Sequence, residues 1–184
     1  MSTEIDTRHR LRVNQLGLWL FIASETFLFA ALIAARYAIV GLDRPDDLNQ
    51  PLGLVISLVL LFSSLTAYRA ETAVKHDDQP GLLRYLTITI GLGVIFLIGV
   101  VLEWNEGLGN FPPDTEFGSA FFTLIGLHAF HVITGLVAMA VVLHLSRQGR
   151  FNADDHWGVE GVIKYWHFVD VAWVVIFPTL YLVS

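Results

Sequence analysis

Three groups of residues in this chain are of types that hold or move protons. Glu25 stands in "FIASETFLFA" (21–30), where every neighbour at three or four residues' distance, Phe21, Ile22, Leu28 and Phe29, is apolar. Its own helix therefore offers nothing to share its charge or take its proton. "GLHAFHVITG" carries His128, His131 and Thr134 at steps of three, and "YWHFVDVAW" continues a stripe of Glu160, Lys164, His167 and Asp170 at steps of three or four. Such steps put each set on one helical face. Together they offer carboxyl and imidazole groups for proton exchange.

The elements that must position these groups are membrane spans. Glu25 lies within "GLWLFIASETFLFAALIA" (17–34), which has no other charge and is long enough for a bilayer's hydrocarbon core. Similar runs follow near 51–70, 81–103, 118–145 and 160–183. Mean hydropathy is +0.60, and 54% of the 184 residues are apolar while 15% are charged. The expected fold is an all-α integral membrane bundle of five transmembrane helices spanning about 15–40, 51–73, 81–104, 118–146 and 158–183. Residues 1–14 form a cytoplasmic tail, and 15–184 a single membrane domain. Any chemistry must then lie between helices.

Several classes fall away. With no cysteine there are no thiolate metal sites, iron-sulfur clusters or disulfides. No phosphate-binding glycine loop, internal repeat or low-complexity tract is present, and no nucleic-acid partner is expected. The apolar run behind "MSTEIDTRHRLR" is too long for a signal peptide and lacks a cleavage pattern, so the first helix is expected to persist.

Nine of the eleven Lys and Arg residues fall on one side of the bundle, leaving Arg36 and Arg44 on the other. This asymmetry places the N-terminus inside and the C-terminus outside. Pro112 and Pro113 mark a true loop in "NEGLGNFPPDTEF". At about 1.5 Å per residue, Glu25 and His131 each lie roughly 13 Å from the inner face, with His167 and Asp170 about 8 to 14 Å deep. One polar layer drawn from the first, fourth and fifth helices is expected.

Each group also has a purely structural reading. His128 serves equally as a packing residue bonded to a neighbouring helix, His144 lies near water, Lys164 snorkels, and Arg36 anchors the outer boundary. Glu103 and Glu106 around Trp104 read as an interfacial end. Glu25 is different. Burying an ionised carboxylate costs several kcal/mol unless it is paired, so Glu25 is expected to be protonated and bonded to a neighbour such as His131 or His167, or exposed to a lipid pocket.

"ASETFLF", "GLHAFHVITG" and "YWHFVDVAW", the last preceded by "HWGVEG", resemble subunit III of the haem-copper terminal oxidases in this order and polarity. The likeness runs from about Gln15 to the C-terminus. It points to the short five-helix prokaryotic form, found in quinol oxidases, some cytochrome c oxidases and a relative associated with nitric oxide reductase. The resemblance implies a non-catalytic subunit of a proton-pumping oxidase that reduces oxygen to water, in a prokaryotic plasma membrane. Such a subunit packs on subunit I beside subunit II, binds phospholipid and supports proton uptake and complex stability. Haem and copper are then expected in the partner subunits and no cofactor or metal in this chain. Carried over, Glu25 matches the family's intramembrane carboxylate, while His131, His167 and Asp170 match its helix-packing polar motifs. The seven-helix form holds lipid in a cleft walled by two helices that this chain lacks.

Two other readings stay open. A b-type haem anchor would use His131 and His144, thirteen apart, but the fifth helix offers only His167 as a counterpart. An independent proton or ion carrier would usually show broken helices or paired halves.

Overall fold

A computed structural model describes residues 2–43, 45 and 48–183; Arg44, one of the two basic residues expected on the outer side, lies outside them. The described residues form five helices: α1 (Ser2–Val40), α2 (Gln50–Lys75), α3 (Gln79–Asn110), α4 (Glu116–Arg147) and α5 (Trp157–Phe177). Each has an apolar stretch long enough to cross a membrane. The chain is a multi-pass membrane protein.

Local chemistry sets the helix ends. Asn49, Asp78 and Thr115 each accept a hydrogen bond from the backbone N–H three residues on, and Pro51 and Pro80 occupy first-turn positions where no N–H is needed. Gly118 begins α4 under the 111–115 loop, where a Cβ would lie 2.1 Å from the Pro112 carbonyl oxygen. No other residue fits there. At the far end of α5, Pro178 interrupts the ladder and Pro178–Leu182 widens into a π-helical turn, with the Val183 N–H reaching the Pro178 carbonyl.

Two boundaries differ from the sequence pattern. Helix α1 begins at Ser2, since no glycine or proline interrupts residues 2–15. Helix α3 continues through "NEGLGN" to Asn110, and the loop shrinks to 111–115. The glycines there do not end the helix because Gly107 packs against the Phe111 ring, where a side chain would crowd it at 3.0 Å.

Helix α5 is the centre of the bundle, packing on α4, α2 and α1, while α2 pairs with α3 and α3 with α4. Its buried indoles carry the core: Trp166 donates to Ser63 Oγ at 2.9 Å and Trp173 to Ser57 Oγ at 2.8 Å, both on α2. Neither indole N–H is left unpaired in an apolar interior. Gly93 on α3 and Gly135 on α4 bracket the Trp166 ring, and a Cβ at either would approach it to 2.8 Å. Helix α1 sits at the edge on α4 and α5, and of its described side chains only Phe29 and Arg36 are buried.

Candidate functional site

Residues 13–28 of α1, 127–138 of α4 and 157–165 of α5 part to form a cleft of about 980 Å³, with Glu25 and His131 in its wall. His131 Nε2 lies 3.0 Å from Glu25 Oε2. Its other nitrogen, Nδ1, is 2.8 Å from the Leu127 carbonyl, one turn back along α4. A carbonyl only accepts, so Nδ1 carries a proton and donates it. Nε2 of a neutral ring would then be an acceptor, and its contact with the carboxyl requires one shared proton. Either a carboxylic acid donates to a neutral imidazole, or an imidazolium donates to a carboxylate. Both forms leave the pair with no net charge.

The surroundings hold this pair in place. Tyr165 of α5 and Thr134 of α4 share a hydrogen bond of 2.8 Å, and both hydroxyls point at the His131 carbonyl, at 3.2 and 2.8 Å respectively. Phe29 packs 5.1 Å from the His131 ring, and Phe21 lies 5.9 Å from Tyr165. The pairing of Thr134 with Tyr165 was not visible in sequence, because Tyr165 lies off the stripe of His167 and Asp170.

His167 and Asp170 do not join this group. His167 Nδ1 bonds Ser64 Oγ of α2 at 2.7 Å and lies 4.0 Å from Asp170 Oδ2. Residues 165 and 167 are two positions apart, roughly 200° around a helix, so Tyr165 faces α1 and α4 while His167 faces α2. The expected single layer is therefore two clusters on different sides of α5. Ser64 gave no signal in sequence, since a serine hydroxyl can satisfy itself on its own helix's backbone and predicts no partner.

His128 is fully buried among aromatic rings, 4.9 Å from Trp173, 5.7 Å from Phe96 and 6.3 Å from Phe29. Neither of its ring nitrogens has a hydrogen-bond partner among the described residues, unlike the packing residue bonded to a neighbouring helix that the sequence suggested, and it is not among the residues that line the cleft. His144 is exposed beside Gln148, and Lys164 pairs with Glu160 while lying 5.2 Å over the Trp157 ring. Two structural readings change. Arg36 is 1% exposed and turns back onto the end of its own helix, donating to the Gly41 and Asp43 carbonyls. Glu103, expected at an interfacial end, is buried within the bundle, with its carboxyl beside the Tyr181 hydroxyl. Among the described residues, no group of three or more His, Asp or Glu side chains is placed to hold a metal ion.

These features define an all-helical membrane subunit with a polar pair opening on a lateral cleft. The family model described as cytochrome c oxidase subunit III matches residues 3–184. The chain is 34% identical over 175 residues to a cytochrome c oxidase subunit 3 from Thermostichus vulcanus, covering 92% of this chain and 87% of that one. It is 33% identical to a cytochrome c oxidase subunit 3 from Corynebacterium diphtheriae, covering 96% and 91%. A probable quinol oxidase subunit 3 from Staphylococcus aureus is also 33% identical, over 100% and 96%. The chain belongs to the cytochrome c oxidase subunit III family.

Proposed function

We propose that this chain is the non-catalytic third subunit of a proton-pumping haem-copper oxidase that reduces oxygen to water, with haem and copper held by its partners. It packs on subunit I beside subunit II in a bacterial plasma membrane, N-terminus inside, and supports proton uptake and the persistence of turnover. The observation that carries this reading is the Glu25–His131 pair, which holds one exchangeable proton on the wall of an open cleft. An isolated packing residue would not need an ionisable group there. Phospholipid is a further partner, at the inner mouth of the cleft near the exposed Arg12. His128, His167 and Asp170 hold the helices in register around it.

The test is a complex isolated in mild detergent through a tag on this chain. A haem-containing oxidase should co-purify, and Glu25→Gln should leave its assembly and haem spectrum intact while lowering proton-coupled turnover or shortening its duration. Isolation of the chain without a haem protein would overturn the reading. A Glu25→Gln complex that turns over as fast and as long as the parent would remove Glu25 from it.

A further inference from the structure

On its α2 side, away from the cleft, α5 carries a file of polar groups that runs from the bundle surface to a buried acid. His167 stands at the surface with 35% of its side chain exposed, while Asp170, one turn on, is closed in at 5%. The ring turns Nδ1 inward, where Ser64 Oγ lies at 2.7 Å and Asp170 Oδ2 at 4.0 Å. The Asp170 oxygens close no hydrogen bond among the described residues, and Ser64 is the hydroxyl placed beside them. At 4.0 Å the imidazole is beyond hydrogen-bond length, so the carboxyl rests there as a neutral acid. Nε2, across the ring, makes no hydrogen bond among the described residues. Charged side chains flank the file toward the end of the bundle where α2 stops and α5 begins. Glu71 pairs with Lys75 on α2, and Glu160 with Lys164 on α5. Across the seam, Glu71 acts on His167 and Glu160 on Lys75.

We propose that His167 and Ser64 form a proton shuttle for Asp170, which stores one exchangeable proton on the α2 side of α5. Outward, the acid proton passes to Ser64 Oγ as the serine proton passes to Nδ1, and Nε2 gives up its own. The products are a carboxylate and a neutral ring in its other tautomer. Inward, Nε2 takes a proton and the same transfers reverse, so the two ring nitrogens serve as entry and exit. No imidazolium, oxidant or reductant enters. A bond from Ser64 to an amide side chain would pin α2 to α5 equally well, but only an imidazole in that place carries a proton through. Every group lies within this chain, so the inference adds a second proton site to the reading above without resting on it.

The test follows infrared absorption of the tagged complex as light water is exchanged for heavy water. The carbonyl stretch of a protonated carboxyl stands apart from that of a carboxylate and shifts when deuterium replaces its proton. The difference between the parent and Asp170→Asn should contain one such band, which shifts on exchange. His167→Phe and Ser64→Ala should keep the band and slow its shift about a hundredfold, the lower end of what a positioned proton carrier contributes. Should Asp170→Asn fail to assemble, heavy-isotope labelling of the aspartate carboxyls identifies the band in the parent and in His167→Phe, and the comparison of rates stands. Absence of a protonated-carboxyl band from Asp170, or exchange as fast as the parent's in either variant, would overturn the proposal and leave these side chains as a pin between helices. Isolation of the tagged chain without a haem protein would strike the oxidase reading and leave these rates standing.

Discussion

The clusters Glu25–His131 and His167–Asp170 have the same ingredients arranged in reverse. In the first the imidazole is buried, with 6% of its side chain exposed, and the carboxyl looks outward at 19%. In the second the carboxyl is buried at 5% and the imidazole looks outward at 35%. The first pair touches at 3.0 Å; the second stands at 4.0 Å because Ser64 has taken the ring nitrogen. A histidine and a carboxyl on helices of one bundle thus serve two purposes. Which group faces outward decides what can reach the proton.

The largest effect is expected where both clusters lean on one support. Trp166 lies between Tyr165 and His167 in sequence and is fully buried between Gly93 and Gly135. Trp166→Ala should cost about 3 to 5 kcal/mol and disturb both clusters, read as a lower unfolding temperature in detergent. Stability equal to the parent would show that the two clusters hold their positions without it.

Next comes His131→Leu, which leaves the Glu25 carboxyl without its partner and should cost about 1 to 3 kcal/mol. Thermal unfolding checks the cost, and a change below that range would mean that the cleft supplies another partner for the carboxyl. On the other side, Ser64→Ala removes the bond to His167 and should cost about 0.5 to 1.5 kcal/mol. This variant should leave Glu25 chemistry untouched, so altered labelling of Glu25 in it would break the division into two clusters.

The smallest stability change is expected for Glu25→Gln, under about 1 kcal/mol, because the amide N–H can still donate to Nε2 of His131. Its chemical consequence is large. A hydrophobic carbodiimide requires a protonated carboxyl that it can reach, so it should modify Glu25, whose side chain is 19% exposed, and spare the buried Asp170. Mass spectrometry of the labelled chain decides this. Asp170 carrying the label would reverse the comparison.

Much of this was legible in sequence because membrane burial is read from long apolar runs, and the five spans followed from them directly. For Glu25 the sequence suggested a neighbour such as His131 or His167, both near its depth, or a lipid pocket, but depth along the normal says nothing about direction around a helix. That direction depends on packing angles, which put His131 against α1 and turned His167 toward α2. The fate of Arg36 was hidden for a related reason. A basic residue near a span's end snorkels or caps according to whether the helix terminus presents free carbonyls within its reach, and that depends on the turn after Val40. The early start of α1 was hidden because charged residues before a span read as a tail even where nothing breaks the helix.

Among the described residues, the buried side chains of α1 are confined to its C-terminal half, at Phe29 and Arg36. Arg36 only caps its own helix end, donating to the Gly41 and Asp43 carbonyls, so what holds this half to the bundle is Phe29, packed against the rings of His128, His131 and Phe168. Mechanically, α1 is a cantilever. Val13 at the cleft mouth lies sixteen residues from Phe29, a lever arm of about 24 Å, and a tilt of roughly 5° about the fastened end would move the mouth by about 2 Å over that arm. Such a tilt would widen the opening beside Glu25 only where the Glu25–His131 bond and the Phe21–Tyr165 contact gave way, so these two contacts, and not the four-helix core, set its width.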